Sequence, residues 1–116
     1  MTKEFSAKQP YESYAVSFDF SQNLIAETLV SAIITAMDRK TLVDMSSVIL
    51  DSGKQSVGAS IVYGWIRGGE SNHSYLITCI AVSTLGSEYE IAGILPILES
   101  PPPLYRVTAT EVKAIL

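Results

Sequence analysis

The only histidine and the only cysteine of the 116-residue chain, His73 and Cys79, stand six positions apart in a stretch that begins Gly68-Gly69-Glu70. A thiol and an imidazole are the parts of a nucleophile and its general base, provided that they come within hydrogen-bond reach, about 3 Å. The residues after His73 read as a strand, and six residues of extended chain span about 20 Å at about 3.3 Å each. Within one strand the two groups cannot meet. Cys79 lies in Ile77-Thr78-Cys79-Ile80-Ala81, with no basic neighbour, helix start or second cysteine to depress its pKa, and reads as a small apolar filler of a core. His73, in a polar run from Glu70 to Ser74, reads as a solvated or locally hydrogen-bonded turn histidine.

Other residues of the right types lack the right spacing. Gly64, Gly68 and Gly69 are followed by no Lys-Ser/Thr pair that would make a phosphate loop, and read as turn glycines. Glu88 and Glu90 share one face of a strand, as paired acid and base carboxylates would, but suit a solvated edge. Asp44 and Asp51 lack the acidic spacing of a calcium loop, and no serine sits in a Gly-x-Ser-x-Gly elbow. The reading therefore assigns no catalytic residue, no cofactor and no metal, and an enzyme is not expected.

The elements that must position these residues are bounded by size and composition. A chain of 116 residues, 47% apolar and only 17% charged, is the right length and polarity for one folded core. A net charge of -4 leaves no basic field to neutralise phosphates, so nucleic acid is not an expected partner. The longest apolar-rich stretch, Leu24 to Met37, is interrupted by Glu27, Thr28, Ser31 and Thr35, and no membrane role is expected. With one cysteine no internal disulfide forms, which is compatible with a reducing cytoplasm.

Alternation predicts the strands. Tyr14, Val16, Phe18 and Phe20 alternate with Ala15, Ser17 and Asp19, the pattern of a half-buried strand. Residues 59–66 form a second β-rich run closed by Gly68-Gly69, and Trp65 within it is expected to be the large core anchor. Ser74 to Thr84 and Glu88 to Ile97 flank Leu85-Gly86-Ser87 as a hairpin, with Gly86 available for a positive φ. Val48-Ile49-Leu50 is read as a further short strand. Ser21 to Lys40 stays open: Ile25, Leu29, Ala32, Ile33 and Ala36 fall at helical spacing, while the β-branched Thr28, Val30, Ile33, Ile34 and Thr35 favour a strand.

Short strands at turn-marked intervals, without crossover helices, predict an all-β chain folded as a two-sheet β-sandwich. Its expected core is Phe18, Phe20, Trp65, Tyr75, Ile77 and Cys79, with Tyr75 in the role of a tyrosine whose hydroxyl bonds back to upstream backbone. The expected organisation is an N-terminal arm (1–13), the sandwich (14–98) and a Pro-rich C-terminal extension (99–116). In the extension, Pro101-Pro102-Pro103 predicts a stiff spacer that projects Tyr105, Val107 and Ala109 as a partner-binding strand. An edge strand on its own domain, or a short terminal helical turn, is the alternative.

Several of these stretches together resemble a family of small tailed-phage and prophage structural proteins. Lys8-Gln9-Pro10-Tyr11-Glu12, then Tyr14 and Phe18-Asp19-Phe20, is similar to the family's Lys-Asp-Pro-x-Glu and Tyr-x-x-Asp-Trp opening. Trp65-Ile66-Arg67-Gly68-Gly69, Tyr75-Leu76-Ile77-Thr78, Ser83-Thr84-Leu85-Gly86 and Leu95-Pro96-Ile97 resemble its later motifs. Gln9 stands where the family carries Asp, and Phe20 where it carries Trp. Members look like immunoglobulin or fibronectin III sandwiches, and some are described as fibre–tail adaptors. The resemblance implies a non-enzymatic virion component, made in the bacterial host cytoplasm, that docks onto other phage structural proteins and forms homo-oligomers. The rival expectation is a carbohydrate- or surface-binding sandwich module that stacks sugars on an exposed Trp or Tyr.

Overall fold

The alternation of Val16, Phe18 and Phe20 with polar neighbours gives one apolar face to the strand Tyr14–Asp19, and a face of that kind has to be covered by a second layer. The computed structural model, which describes residues 2–98, supplies that layer. The chain is an all-β sandwich of two sheets. Its strands are β1 (Thr2–Glu4), β2 (Tyr14–Asp19), β3 (Leu29–Asp38), β4 (Ser56–Val57), β5 (Ile61–Ile66), β6 (Ser74–Ser83) and β7 (Glu88–Pro96). One sheet has the order β1-β7-β6-β3 and the other β2-β5-β4. All pairings are antiparallel except β1 with β7.

The register fixes what faces the core. In β6, Tyr75, Ile77, Cys79 and Ala81 point inward and are buried; in β3, Ile34 and Ala36 do so, and in β7, Ile91 and Leu95. From the other sheet come Val16, Phe18, Val62 and Ile66, with Phe20 just beyond β2. Phe18, Phe20, Ile77 and Cys79 have no exposed surface, and Tyr75 is almost as deep. The expected hairpin is present, with β6 and β7 paired from Ser74↔Pro96 to Val82↔Glu88. Gly86 at its turn takes φ 85°, a backbone state that costs glycine little and L side chains much.

Residues 29–38, open between helix and strand in sequence, form β3 and pair with β6 along its length. Three other expectations are corrected. Trp65 is not in the core: β5 turns Val62, Gly64 and Ile66 inward, so Tyr63 and Trp65 lie on the outer side of the sheet, Trp65 half-buried. Val48-Ile49-Leu50 is not a strand. Ser46–Ile49 forms one helical turn, α1, whose Ile49 is buried, and Leu50 makes only an isolated bridge to Ile66. The third concerns residues 2–13, which are no separate arm. β1 adds to the edge of the four-stranded sheet, Phe5 packs edge-to-face on Phe18 at 5.8 Å, and Lys8 pairs with Ile97. The expected extension, with Tyr105, Val107 and Ala109, lies outside the described residues.

The depth of Phe18 generates a stability contrast. Replacing a fully buried phenylalanine by alanine removes its transfer free energy and leaves a cavity, about 3–5 kcal/mol. Phe18→Ala is expected to lower the unfolding free energy from urea titration by that much, while Leu85→Ala at the exposed hairpin tip changes it by less than about 0.5 kcal/mol.

Candidate functional site

Residues 67–73 carry the chain from β5 in one sheet to β6 in the other, so their backbone polar groups lie outside both ladders and need other partners. Side chains supply several of them. Lys8, fully buried, points its ammonium at three carbonyls, those of Gln9 at 2.8 Å, Pro10 at 3.2 Å and Gly68. Three N–H bonds meet three acceptors, which is how a buried ammonium is accommodated without a carboxylate in contact. Burial pulls its pKa below the ordinary lysine value, and Glu12 partly offsets this.

Tyr75, buried in β6, accepts the backbone N–H of Glu70 at its hydroxyl, 3.0 Å away. This is the backward bond to upstream backbone that the sequence suggests for Tyr75. Burial pushes the phenol up, the Glu70 N–H pulls it back in part, and the carboxylates of Asp38 and Glu70 add to the rise. Gly69 next to it has φ 102°, and a Cβ there would stand 2.8 Å from Ile97 Cδ1. Only glycine fits both the backbone state and the space.

His73 closes the same corner. Its Nδ1 stands 2.7 Å from Asp38 Oδ2, at the end of β3, and its Nε2 stands 3.2 Å from Glu70 Oε1. Both ring nitrogens are therefore engaged, and the ring stacks near Tyr75 at 6.5 Å. Asp38 is itself buried. Desolvation would raise its pKa, but the bond with His73, the N–H groups of Lys40 and Thr41, and the charge of His73 outweigh that and hold the carboxyl below its usual range. A cleft of about 270 Å³ opens beside this corner, lined by Asp38, Met45, Val48, Gly69, Glu70 and Tyr75.

Cys79 takes no part. It is buried in the middle of β6, paired with Ile34 and Ile91 on either side, and burial pushes its thiol up to about 12. A thiol in that state is not a nucleophile at neutral pH. Asp44 and Asp51 do local work: Asp44 accepts from the N–H and hydroxyl of Ser46, and Asp51 accepts from the Gly53 N–H and pairs with Arg67 at 3.7 Å. At the far end of the sandwich Glu27 accepts from the hydroxyls of Ser83 and Tyr89, the latter at 2.9 Å, and ties the approach to β3 to the β6–β7 hairpin. Among the described residues no cluster of three or more His, Cys, Asp or Glu is placed to hold a metal ion. The chemically capable groups are thus absorbed into holding loops and sheets together.

What remains open to a partner is surface. The outer side of the four-stranded sheet carries Ile33, Thr35 and Met37 from β3, Leu76, Thr78, Ile80 and Val82 from β6, and Ala92 and Ile94 from β7. Ile33 is 68% exposed and Ile80 41%, with Val30 at the bulge adding another exposed side chain. Glu4, Glu88 and Glu90 stand along the β7–β1 side, and Arg39, bonded to Ser74 Oγ, stands at the end of β3. The outer side of the other sheet presents Tyr63 beside Trp65. Lys54 Nζ lies 4.2 Å over the Trp65 ring, and the indole N–H is donated to Ser13 Oγ.

No protein-family model and no curated protein matches the chain.

Two outcomes follow from this geometry. Asp38 is held low, so its stabilising share is present above its unfolded pKa, near 4, and is lost as pH falls through the lower folded value. The urea midpoint is expected to drop on acidification below about pH 4, and Asp38→Asn to flatten part of that fall, the rest belonging to Glu27 and Asp44, which are shifted the same way by their hydroxyl donors. Cys79 is expected to resist a thiol reagent in the native protein and to react in one step on unfolding. Labelling at the rate of a free thiol without denaturant would contradict its placement.

Proposed function

We propose that the chain is a non-enzymatic assembly or adaptor protein of a tailed-phage or prophage particle, placed in the head–tail, neck or fibre region. The observation that carries this reading is the apolar outer side of the four-stranded sheet, in a molecule whose histidine, cysteine and buried carboxylate are engaged or enclosed. Exposed Ile33 and Ile80, set among the half-buried Met37, Leu76 and Ile94, make an apolar surface of the kind that suits protein–protein contact.

The strand order supports the immunoglobulin-like reading. β2-β5-β4 and β3-β6-β7 correspond to the B-E-D and C-F-G groupings of that architecture, with the first strand laid beside the last. Tyr75 stands near the start of the second-last strand, two residues before the inward Ile77, where antibody domains carry the second cysteine. The residues that resemble motifs of phage structural proteins have structural work in this molecule: Lys8 in the carbonyl cage, Gly68-Gly69 in the crossing, Tyr75 at its end.

The carbohydrate reading has one favourable observation, the outward pair Tyr63 and Trp65. One face of the Trp65 ring is covered by Lys54 and its N–H is bonded to Ser13, which counts against the ring as a sugar platform. Titration with oligosaccharides is expected to leave Trp65 fluorescence unchanged; a saturable change would favour the rival.

The virion reading is tested on particles. Tailed particles purified from the bacterium that encodes the chain are expected to contain it at a fixed stoichiometry, labelled at one place by antibody in electron micrographs. Neighbouring genes are expected to encode portal, capsid or tail proteins. Particles that are complete and infective without the chain would overturn the proposal.

A further inference from the structure

We infer that a gap in the outer edge of β3, at Ile34, is a binding site for the side-chain carboxamide of an asparagine or glutamine on a partner protein. The site lies between α1 and Gln55, apart from the outer side of the sheet, and does not depend on the virion reading.

The gap follows from the ladder. β3 ends its sheet, bonded to β6 on one side and to no strand on the other. The Arg39 N–H donates to the Ser74 carbonyl, so by antiparallel alternation Met37, Thr35 and Ile33 also face β6, while Asp38, Ala36, Ile34 and Ala32 turn their N–H and carbonyl groups to the open edge. The chain fills most of that edge itself. Asp38 N–H donates to the Val43 carbonyl at 2.9 Å, the Ala36 carbonyl accepts the Met45 N–H at 2.8 Å, and the Ala36 N–H donates to Ser46 Oγ at 2.9 Å. Nearer the start of the strand, the Ala32 carbonyl accepts from Gln55 Nε2 at 3.1 Å. At Ile34, between these, neither backbone group has a partner among the described residues.

The gap opens into a cleft of about 350 Å³, and Ile34 is the β3 residue that lines it. Ser46 and Ser47 of α1 line it too, with Ser52 and Gln55 from the segment before β4, and Arg67 and Asp51.

Three features choose the ligand. The Ile34 N–H and carbonyl call for an acceptor and a donor side by side. From Ala32 to Ala36 the edge runs about 13 Å, at about 3.3 Å per residue, and the side chains of Gln55 and Ser46 occupy its two ends. A strand running along the edge therefore has no path, whereas a group entering end-on does. Charge is already offset, because Arg67 pairs with Asp51 at 3.7 Å and donates its Nε and Nη2 hydrogens to the carbonyls of Val48 and Ser47. A carboxylate would bring no donor for the Ile34 carbonyl and would meet Asp51; an ammonium would bring no acceptor for the N–H. The carboxamide of Asn and Gln carries a neutral donor and acceptor side by side on one planar group. The chain caps the neighbouring edge position with that same group, from Gln55.

The test is amide NMR on the full chain. Without ligand, the Ile34 N–H is expected to exchange with deuterium at least about tenfold faster than those of Ile33 and Thr35, which face β6. Equal protection would mean a closed edge and would overturn the inference. Butyramide is expected to shift the Ile34 signal saturably and to slow its exchange, with butyrate and N,N-dimethylbutyramide, which both lack the donor, at least about tenfold weaker. Acetyl-Ser-Gln-Ser-amide is expected to act as butyramide does, and its Glu and Ala counterparts at least about tenfold more weakly. Ser47→Trp and, independently, Ser52→Trp, at exposed positions on the cleft, are expected to abolish the shift while thermal melting is unchanged. No saturable shift up to about 100 mM butyramide would leave the gap to water and overturn the inference. So would an equal response to all three small molecules, or a shift that survives both tryptophan variants. Butyramide binding without binding of the glutamine peptide would assign the cleft to a small ligand and overturn the protein partner.

Discussion

The crossing from one sheet to the other is the constraint on which the rest of the molecule depends. Between Ile66 and Ser74 the backbone leaves one ladder before it joins the next, and each N–H and carbonyl there needs a partner found elsewhere. Arg67 N–H is taken by Ile49, Gly68 carbonyl by Lys8, Glu70 N–H by Tyr75, Asn72 N–H by Ile97, and His73 carbonyl by the Ile97 N–H. The partners come from the N-terminal segment, α1, β6 and the end of β7, so one short passage gathers distant parts of the chain. These five bonds together hold the crossing in place.

Seen from this corner, the use of ionisable residues makes sense. Lys8, Asp38 and His73 are a buried cation, a buried anion and a ring between carboxylates, a combination that elsewhere would suggest proton transfer. Each is used up by neighbours with fixed positions. Lys8 has all three N–H bonds on carbonyls, and His73 has both nitrogens on acids. Groups so constrained locate a loop.

How much of this was legible in the sequence follows from how each strand meets its two sides. β2 has a polar outer side, so Val16, Phe18 and Phe20 announced themselves by alternation, and the hairpin announced itself through Gly86. β5 is apolar at nearly every position from Ile61 to Ile66, so the sequence does not reveal which half points inward. The register with β2 decides it, and it sends Gly64 in and Trp65 out. β3 was ambiguous for a related reason. Ile33 and Met37 on its outer side resemble Ile34 and Ala36 on its inner side, which hides the period of two and lets a helical spacing compete. Lys8 could not be read as buried from its type, because lysine almost never is. Val48-Ile49-Leu50 was too short to carry any period, and the Ser46 side chain, accepting the Ala36 N–H, anchors it beside β3 as a turn of helix.

The parallel pairing of β1 with β7 has a mechanical meaning. Phe5 N–H to Ile94, Lys8 N–H to Pro96 and Leu98 N–H to Lys8 lie side by side between two segments that run in the same direction. Tension applied between Thr2 and Leu98 pulls these segments past one another, so the bonds share the load in shear and must give way together. A zipper-like peeling, in which they would break singly, needs a pull across the strands. Along the line joining Thr2 and Leu98 the pairing of the two segments is therefore loaded in shear rather than peeled.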